Sequence, residues 1–559
     1  MSMWGNIVAR LRELIRQMIG NRTIQNELHV SYAISPKMET AIQEWANLYL
    51  GKADWLHEPT DDDPTRVVSL GLPAMIASEK ARMALIEWES EITAPTENVE
   101  VPNPDYNPNT QFTTGPDGEA VPIATTTVPE TIMEERVIGD SSRADYLNDQ
   151  YKKLKKQLRT QIEYGIAKGG LVIKPYVITT KQTDNSEPED ITPTIDIEFD
   201  FIQADAFYPL AFNASGQITE AAFVQSKVEK NQVYRRLEYH KWENNTVTVI
   251  NKAYKSNNIQ NVNDVNSSDL GESISLKDIP EWKDLEEKAV IKNVTKPLFA
   301  YFKMPEANTI DTTSPLGVSG YSRAITLIKD ADIQYSRLLW EYEGGELAVD
   351  IDRDALRPDM DAQGNVHSRP NHLQQRLFRK VDLGSGADTY QPFAPALRDT
   401  NYVTGLNTIL MRIEDVCGIS RGTLSDSADI ARTATELKIL KQRSYQVNAD
   451  IQQAIEDAIR DVIYIMNVYA TLYEITPDGE YEVSFEWDDS IIVDIDTEIN
   501  KRLTLMQNGL ASRLENRMWY FGETEKQARD ALLKIDEESQ RAQEADMIMQ
   551  NNFNGGGRR

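Results

Sequence analysis

Between residues 437 and 472, apolar and small residues return every three or four positions: Leu437, Leu440, Ser444, Val447, Ile451, Ala454, Ala458, Val462, Ile465, Tyr469 and Leu472. That is the period of one helix face. It predicts a single helix of roughly 40 residues, about 60 Å long. Helices of ordinary globular domains run roughly 8–20 residues, so this fold is organised around an element longer than a small domain needs. The chain has 559 residues, too many for one hydrophobic core, and several substructures are expected. With 40% hydrophobic residues it has enough apolar surface to pack them.

Other stretches carry local signals. Residues 36–50 predict a helix, with Ser35 as N-cap and Pro36 at its first position. A further helix is expected within 72–91. From Pro95 to Pro129 prolines recur and no Lys or Arg occurs between Arg82 and Arg136. This predicts an extended insertion with a hairpin at "GPDG" rather than a folded module. Residues 141–168 return to helical spacing through Tyr146, Leu147, Tyr151, Leu154, Leu158 and Ile162, stopped by Gly169-Gly170. From 171 to about 304 the period becomes two, which predicts strands such as "LVIKPYVITT", "VYRRLEYHKWE" and "TVTVINKAYKS". Ser314-Pro315 is expected to open a helix reaching Glu343, and a second helix spans 398–417. After the long helix, "YEVSFEWDDSIIVD" reads as a strand pair or a long strand, followed by short helices at 496–509, 512–521 and 524–540.

The formal charge is −29, from 59 basic and 88 acidic residues. A chain this acidic is not a general nucleic-acid binder, because such proteins neutralise phosphates with Lys and Arg. The acidity keeps the chain soluble, or forms a wall past which DNA slides without sticking. One cysteine excludes an internal disulfide, and five scattered histidines offer no zinc spacing. No P-loop, HExxH, GxSxG or dinucleotide fingerprint is present, so no cofactor is expected. The carboxylates of Asp350, Asp352 and Asp354 read as solvated surface. No run of about 18 apolar residues predicts a membrane span. The amphipathic, basic residues 3–19 read as a helix packed on their own domain in preference to a membrane-surface helix.

Two segments are candidate sites. "CGISRGTLSDSADIARTATELK", residues 417–438, holds the single cysteine. Cys417 lies between Val416 and Ile419, which favours a half-buried structural thiol over a nucleophile. Gly418 and Gly422, with the Ser and Asp residues around them, read as a mobile link whose polar side chains cap the next helix. The second segment, 362–381, runs against the global charge with Arg369, Arg376, Arg379 and Lys380 and no acid. It is either a loop whose arginines pair with Asp350–Asp361, or a contact for phosphates or an acidic partner.

The order of these elements resembles the portal proteins of tailed bacteriophages, especially long-tailed phages of Gram-positive hosts. "SPLGVSGYSRAITLIKDADIQYSRLLWEYEGGE" looks like a first stem helix. "LNTILMRIEDVCGISRGTLSD" with "TATELK" looks like a second stem helix, tunnel loop and start of a wing helix. "FEWDDSIIVDIDTEINKRLTLMQNGLASRLENRMWYFGETEKQARDALLKI" looks like a return strand and crown. The resemblance implies an α+β, multidomain subunit of wing, stem, clip and crown, with long helices and a strand-rich wing, assembling as a ring. Its expected divisions are an N-terminal arm and wing (1–313, with the insertion 95–129), first stem helix (314–345), clip (346–387), second stem helix (388–417), tunnel loop (418–432), long wing helix and return strand (433–499), crown (500–541) and flexible tail (542–559).

The resemblance further implies a homo-oligomer, usually a dodecamer, at one capsid vertex of the virion, assembled in the host cytoplasm. Double-stranded DNA passes through its channel during packaging and ejection. Expected partners are terminase, major capsid and scaffolding proteins, and a head-completion or connector protein. Ser420, Arg421, Thr423, Ser425, Asp426, Asp429 and Arg432 would form the loop facing DNA, and Arg369, Arg376, Arg379 and Lys380 would be clip contacts. Such a protein catalyses nothing. Two alternatives stand beside it: a Cys- or Ser-dependent hydrolase using 417–427, and a structural adaptor without a ring.

Overall fold

The computed structural model describes residues 24–29, 33–59, 65–86, 88–102, 112–114, 120–122, 131–181, 193–257, 270–352, 359–360, 366–367, 378–381, 390–426, 434–487, 495–524, 527–529 and 531–535. The chain divides into two compact units, Met1–Glu486 and Trp487–Arg559. The expectations for 3–19 and for the tail 542–559 lie outside the described residues.

The first unit begins with helices α1 (Ile24–Leu28), α2 (Pro36–Tyr49) and α3 (Leu72–Ala84). Ser35 caps α2, accepting from the backbone N–H of Met38. The helix expected within 72–91 stops at Ala84, and its last residues are strand β1 (Trp88–Thr93). There Ser90 and Ile92 alternate inward, the period of a half-buried strand. The Pro-rich insertion forms an antiparallel ribbon of β2 (Thr96–Pro102) and β5 (Thr131–Val137), with β3 (Phe112–Thr114) pairing β4 (Ala120–Pro122) around the expected hairpin.

Helix α4 (Ser142–Lys168) buries Leu147, Tyr151, Leu154, Leu158, Ile162 and Ile166 along one face. Gly169 ends it at φ 85° and turns the chain into β6 (Gly170–Lys181), which lies between β14 (Ala300–Lys303) and β7 (Pro193–Gln203). A six-stranded sheet follows: β8 (Phe207–Phe212), β9 (Ile218–Glu229), β10 (Gln232–Glu243), β11 (Thr246–Ser256), and β12 (Glu272–Ile274) and β13 (Lys288–Lys292), both pairing β11. Leu210, Leu237, Tyr239 and Tyr254 form the core on one face of this sheet, with Ile24 packed into it. A buried ion pair, Lys174 of β6 to Glu238 of β10 at 2.7 Å, ties the two sheets together.

The helix expected from Ser314 begins instead at Ile325, as α5 (Ile325–Gly344) after a single 3-10 turn. Residues 314–321 are irregular, with Leu316, Val318, Ser319 and Tyr321 buried. Gly317 lies directly against the Gly169 turn: a Cβ on Gly169 would sit 2.8 Å from the Gly317 carbonyl oxygen. A backbone crossing this close admits only glycine and leaves no room for a helix. Asp332, which interrupts the apolar stripe of α5, accepts from Trp55 Nε1 at 3.0 Å and from the backbone N–H of Leu70 at 2.8 Å. Burial pushes its carboxyl above the ordinary value. Ser336, one turn on, accepts from the N–H of Val68. The two side chains thus bind the segment around residue 70 to the helix.

Helix α6 (Asp399–Cys417) returns antiparallel to α5. At the far end of this hairpin Arg398 forks onto the Glu341 carboxylate at 2.7 and 3.1 Å. Lower down, Gly405 lies against Gln334. Between the two helices the chain forms a small separate sheet, with β15 (Ala348–Asp352) flanked by parallel β18 (Phe378–Val381) and antiparallel β19 (Tyr390–Phe393), plus a bridge of β16 (Asp359–Met360) and β17 (Val366–His367). Within the expected second stem helix, 388–417, residues 390–398 are therefore strand and connection, and α6 begins after them.

The long periodic segment is one helix, α7 (Ala434–Leu472), 39 residues in length. Its buried face runs through Ile451, Ile455, Ala458, Ile459, Val462 and Ile465 and packs on β6, β14, α3 and α4. Each fully buried Ile or Val contributes about 1.5–3 kcal/mol, so this stripe, and not helix propensity, holds the element. Strand β20 (Glu482–Trp487) pairs with β1. The second unit contains α8 (Ile495–Gln507), α9 (Arg513–Phe521) and helical residues at 527–529 and 531–535. A capping box starts α9, in which Ser512 and Glu515 exchange backbone N–H bonds at 3.0 and 2.8 Å.

Candidate functional site

The turn after α6 is built around Glu414. Its side chain is fully buried, and one carboxylate oxygen accepts from the N–H groups of Leu424 at 2.6 Å and Ser425 at 2.8 Å. The other accepts from the Ser425 hydroxyl at 2.7 Å. The backbone carbonyl of Glu414 accepts from the N–H of Ile419 at 3.0 Å. One residue of the helix thus holds residues 418–425 in a fixed loop.

Further bonds close the turn. Gly418 leaves the helix in the left-handed region at φ 70°, where a Cβ would lie 2.7 Å from Val447 of α7. Ser420 shares a hydrogen bond with Ser444 of α7 at 2.7 Å. The Thr423 hydroxyl donates to the Ser420 carbonyl at 2.7 Å, and the Gly422 N–H donates to the Ser425 hydroxyl. The Asp426 N–H donates to Asn407 Oδ1 of α6 at 2.7 Å. Arg421 forks onto Asp415 at 3.0 and 2.8 Å, and this partner raises its pKa.

These contacts correct the expectation of a mobile link over its first part: residues 418–426 form a pinned turn, and 427–432 lie outside the described residues. The small and polar residues there serve as hydrogen-bond donors and caps. Ser420, Arg421, Thr423, Ser425 and Asp426 all belong to it, whereas Asp429 and Arg432 lie outside the described residues. Glu414, Asp415, Asn407 and Ser444, which position the turn, were not among the candidates. Arg421 is already engaged by Asp415, so the pair is nearly balanced in charge.

Cys417 is 4% exposed, and burial pushes its thiol up to about 12. A nucleophile has to form a thiolate near neutral pH, and this one does not. Among the described residues no group of three His, Cys, Asp or Glu side chains is placed to hold a metal ion. No helix among them is long and apolar enough to cross a membrane.

In the basic segment, Arg379 and Lys380 lie on β18, where the register sets Arg379 opposite Asp350 and Lys380 opposite Ile351 of β15. Arg369 and Arg376 lie outside the described residues. The strand places both positions at the outer end of the α5–α6 hairpin.

A protein-family profile described as "Phage portal protein, SPP1 Gp6-like" matches residues 29–545. No curated protein matches the chain. The profile covers both units, the helix hairpin, the pinned turn and the long helix in sequence order. The chain belongs to the phage portal protein family of the SPP1 Gp6-like type.

Proposed function

We propose that the subunit is laid along its channel with α5 and α6 as the stem, the small sheet between them as the clip, the 418–426 turn at the channel wall and α7 crossing the wing, and that residues 500–541 form the crown. Family membership establishes the frame: a homo-oligomeric ring at the capsid vertex of the virion, a conduit for DNA, without enzymatic activity. The hydrolase and the ringless adaptor therefore fall away.

The observation that carries the layout is the antiparallel α5–α6 hairpin with a separate sheet at its far end and a pinned turn at the other. Its exposed apolar residues support packing between neighbours: Trp340 is 69% and Leu347 61% exposed, and Leu397 and Val403 are also open. A single subunit leaves these side chains in water, and adjacent stems of a ring cover them. Replacing Trp340 and Val403 together by Glu is expected to shift the purified protein from rings to free subunits in mass photometry. Intact rings in that variant would contradict the stem assignment.

The clip, in this layout, faces terminase during packaging and a head-completion protein afterwards, while capsid and scaffolding proteins meet the wing; the ring is expected to be a dodecamer. Neutralising Arg369, Arg376, Arg379 and Lys380 together should weaken motor or connector docking while rings still form. Unchanged packaging in a reconstituted assay would remove the basic segment from the contact surface.

A further inference from the structure

A cleft of about 1020 Å³ lies between α2, the segment 52–55, β8 and the start of α5. Nothing in the layout along the channel uses it. Its apolar floor includes Trp55, Phe207, Tyr208, Pro209 and Ile325, and its rim carries Glu39, Glu44, Asp54 and Asp205 against Lys52 and Lys329. Acids outnumber bases there even though Asp205 is paired with Lys168 at 2.6 Å.

We propose that this cleft seats the chain's own residues 3–19. The first argument is where the chain arrives. Ile24 is fully buried against a cluster that contains Tyr208, and Tyr208 also lines the cleft. A little further on, the Ala33 N–H donates to the Pro209 carbonyl at 3.1 Å, and Ile34 lines the cleft as well. The four residues between 19 and 24 span at most about 14 Å when extended. The segment therefore reaches the cleft of its own subunit without a long connection.

The second argument is complementarity. Trp4, Ile7, Val8, Leu11, Leu14, Ile15 and Met18 recur at helical spacing, and Arg10, Arg12 and Arg16 stand against the single acid Glu13. An amphipathic helix of this kind places its apolar face in an apolar groove and its arginines against an acidic rim. Gly20, just past the periodic stretch, suits the end of such a helix.

The test uses the full-length ring with a photo-reactive benzophenone amino acid in place of Leu11. The expected cross-links run to peptides within 36–55 or 204–209, and the denatured product keeps the mass of one chain. Products joining two chains, or cross-links only elsewhere, overturn the proposal. In the same background E44K/D54K should cut the cross-link yield several-fold, and adding R12E/R16E should restore it. An unaltered yield, or no restoration, counts against it. Hydrogen exchange on the unmodified chain gives an independent reading: slowed amides within 3–19 are expected, and exchange at the rate of an unstructured peptide overturns the proposal.

Discussion

Arg143→Ala is expected to destabilise the first unit by about 3 kcal/mol or more, since several acceptors each lose a hydrogen bond to a charged donor worth about 1.5–3 kcal/mol. The Arg143 side chain is 1% exposed, and its guanidinium donates from all three nitrogens. Nε reaches the Thr476 hydroxyl at 2.8 Å and the Pro477 carbonyl at 3.1 Å. Nη1 reaches Asn467 Oδ1 at 2.6 Å and the Thr471 hydroxyl at 2.8 Å, and Nη2 the Thr476 carbonyl at 2.9 Å. One side chain at the start of α4 thereby satisfies the C-terminal end of the 39-residue helix and the turn beyond it. Alanine leaves those half-buried and exposed acceptors without this donor. Lysine restores only part, because a point charge cannot span a site shaped for a planar fork. Hydrogen exchange across 467–477 should accelerate roughly a hundredfold or more, with a lower thermal midpoint. Unchanged exchange there would show that the end of α7 is held by packing alone.

Glu414→Ala is the second large effect. It removes the acceptor for two backbone N–H groups and one hydroxyl, all inside the pinned turn. Hydrogen bonds to a buried carboxylate contribute about 1.5–3 kcal/mol each, and the orphaned N–H groups of Leu424 and Ser425 have to find water. The turn should open, with exchange at 419–426 rising by roughly two orders of magnitude, while α5 and α6 keep their protection. In the proposed layout the turn lies at the channel wall, so the variant is also expected to package DNA less efficiently although its rings assemble. Protection at 419–426 equal to that of the unaltered chain would mean that Ser444 and Asn407 suffice to hold the turn.

The parts of this molecule legible in the sequence are those whose signal is local. The 437–472 period became one helix because each apolar position needs only its neighbours three and four residues away. The alternating strands of 193–256 and the hairpin in the Pro-rich insertion were legible for the same reason. Where the decisive contact is distant, the reading failed. Ser314-Pro315 carries the signature of a helix start, but Gly317 lies against Gly169, and no local pattern announces that crossing. Asp332 looked like a flaw in a stripe until Trp55 and Leu70 supplied its donors.

The turn was misread on composition. Gly, Ser, Thr and Asp are what a flexible link contains, and equally what a turn tied by side-chain hydrogen bonds contains. The difference lay in Glu414 and Asp415, which carried no signal of their own, and in Ser444, which was legible only as a member of the helix stripe. Cys417 was the opposite case: its apolar neighbours announced burial, and it is buried.

A cryo-EM reconstruction of the purified ring tests the layout most directly. The expected map has a central channel with residues 418–426 on its wall, the α5–α6 hairpins packed side by side, and the sheet containing Arg379 and Lys380 at one end. A particle that places the 418–426 turn on its outer perimeter, away from the channel, would contradict it.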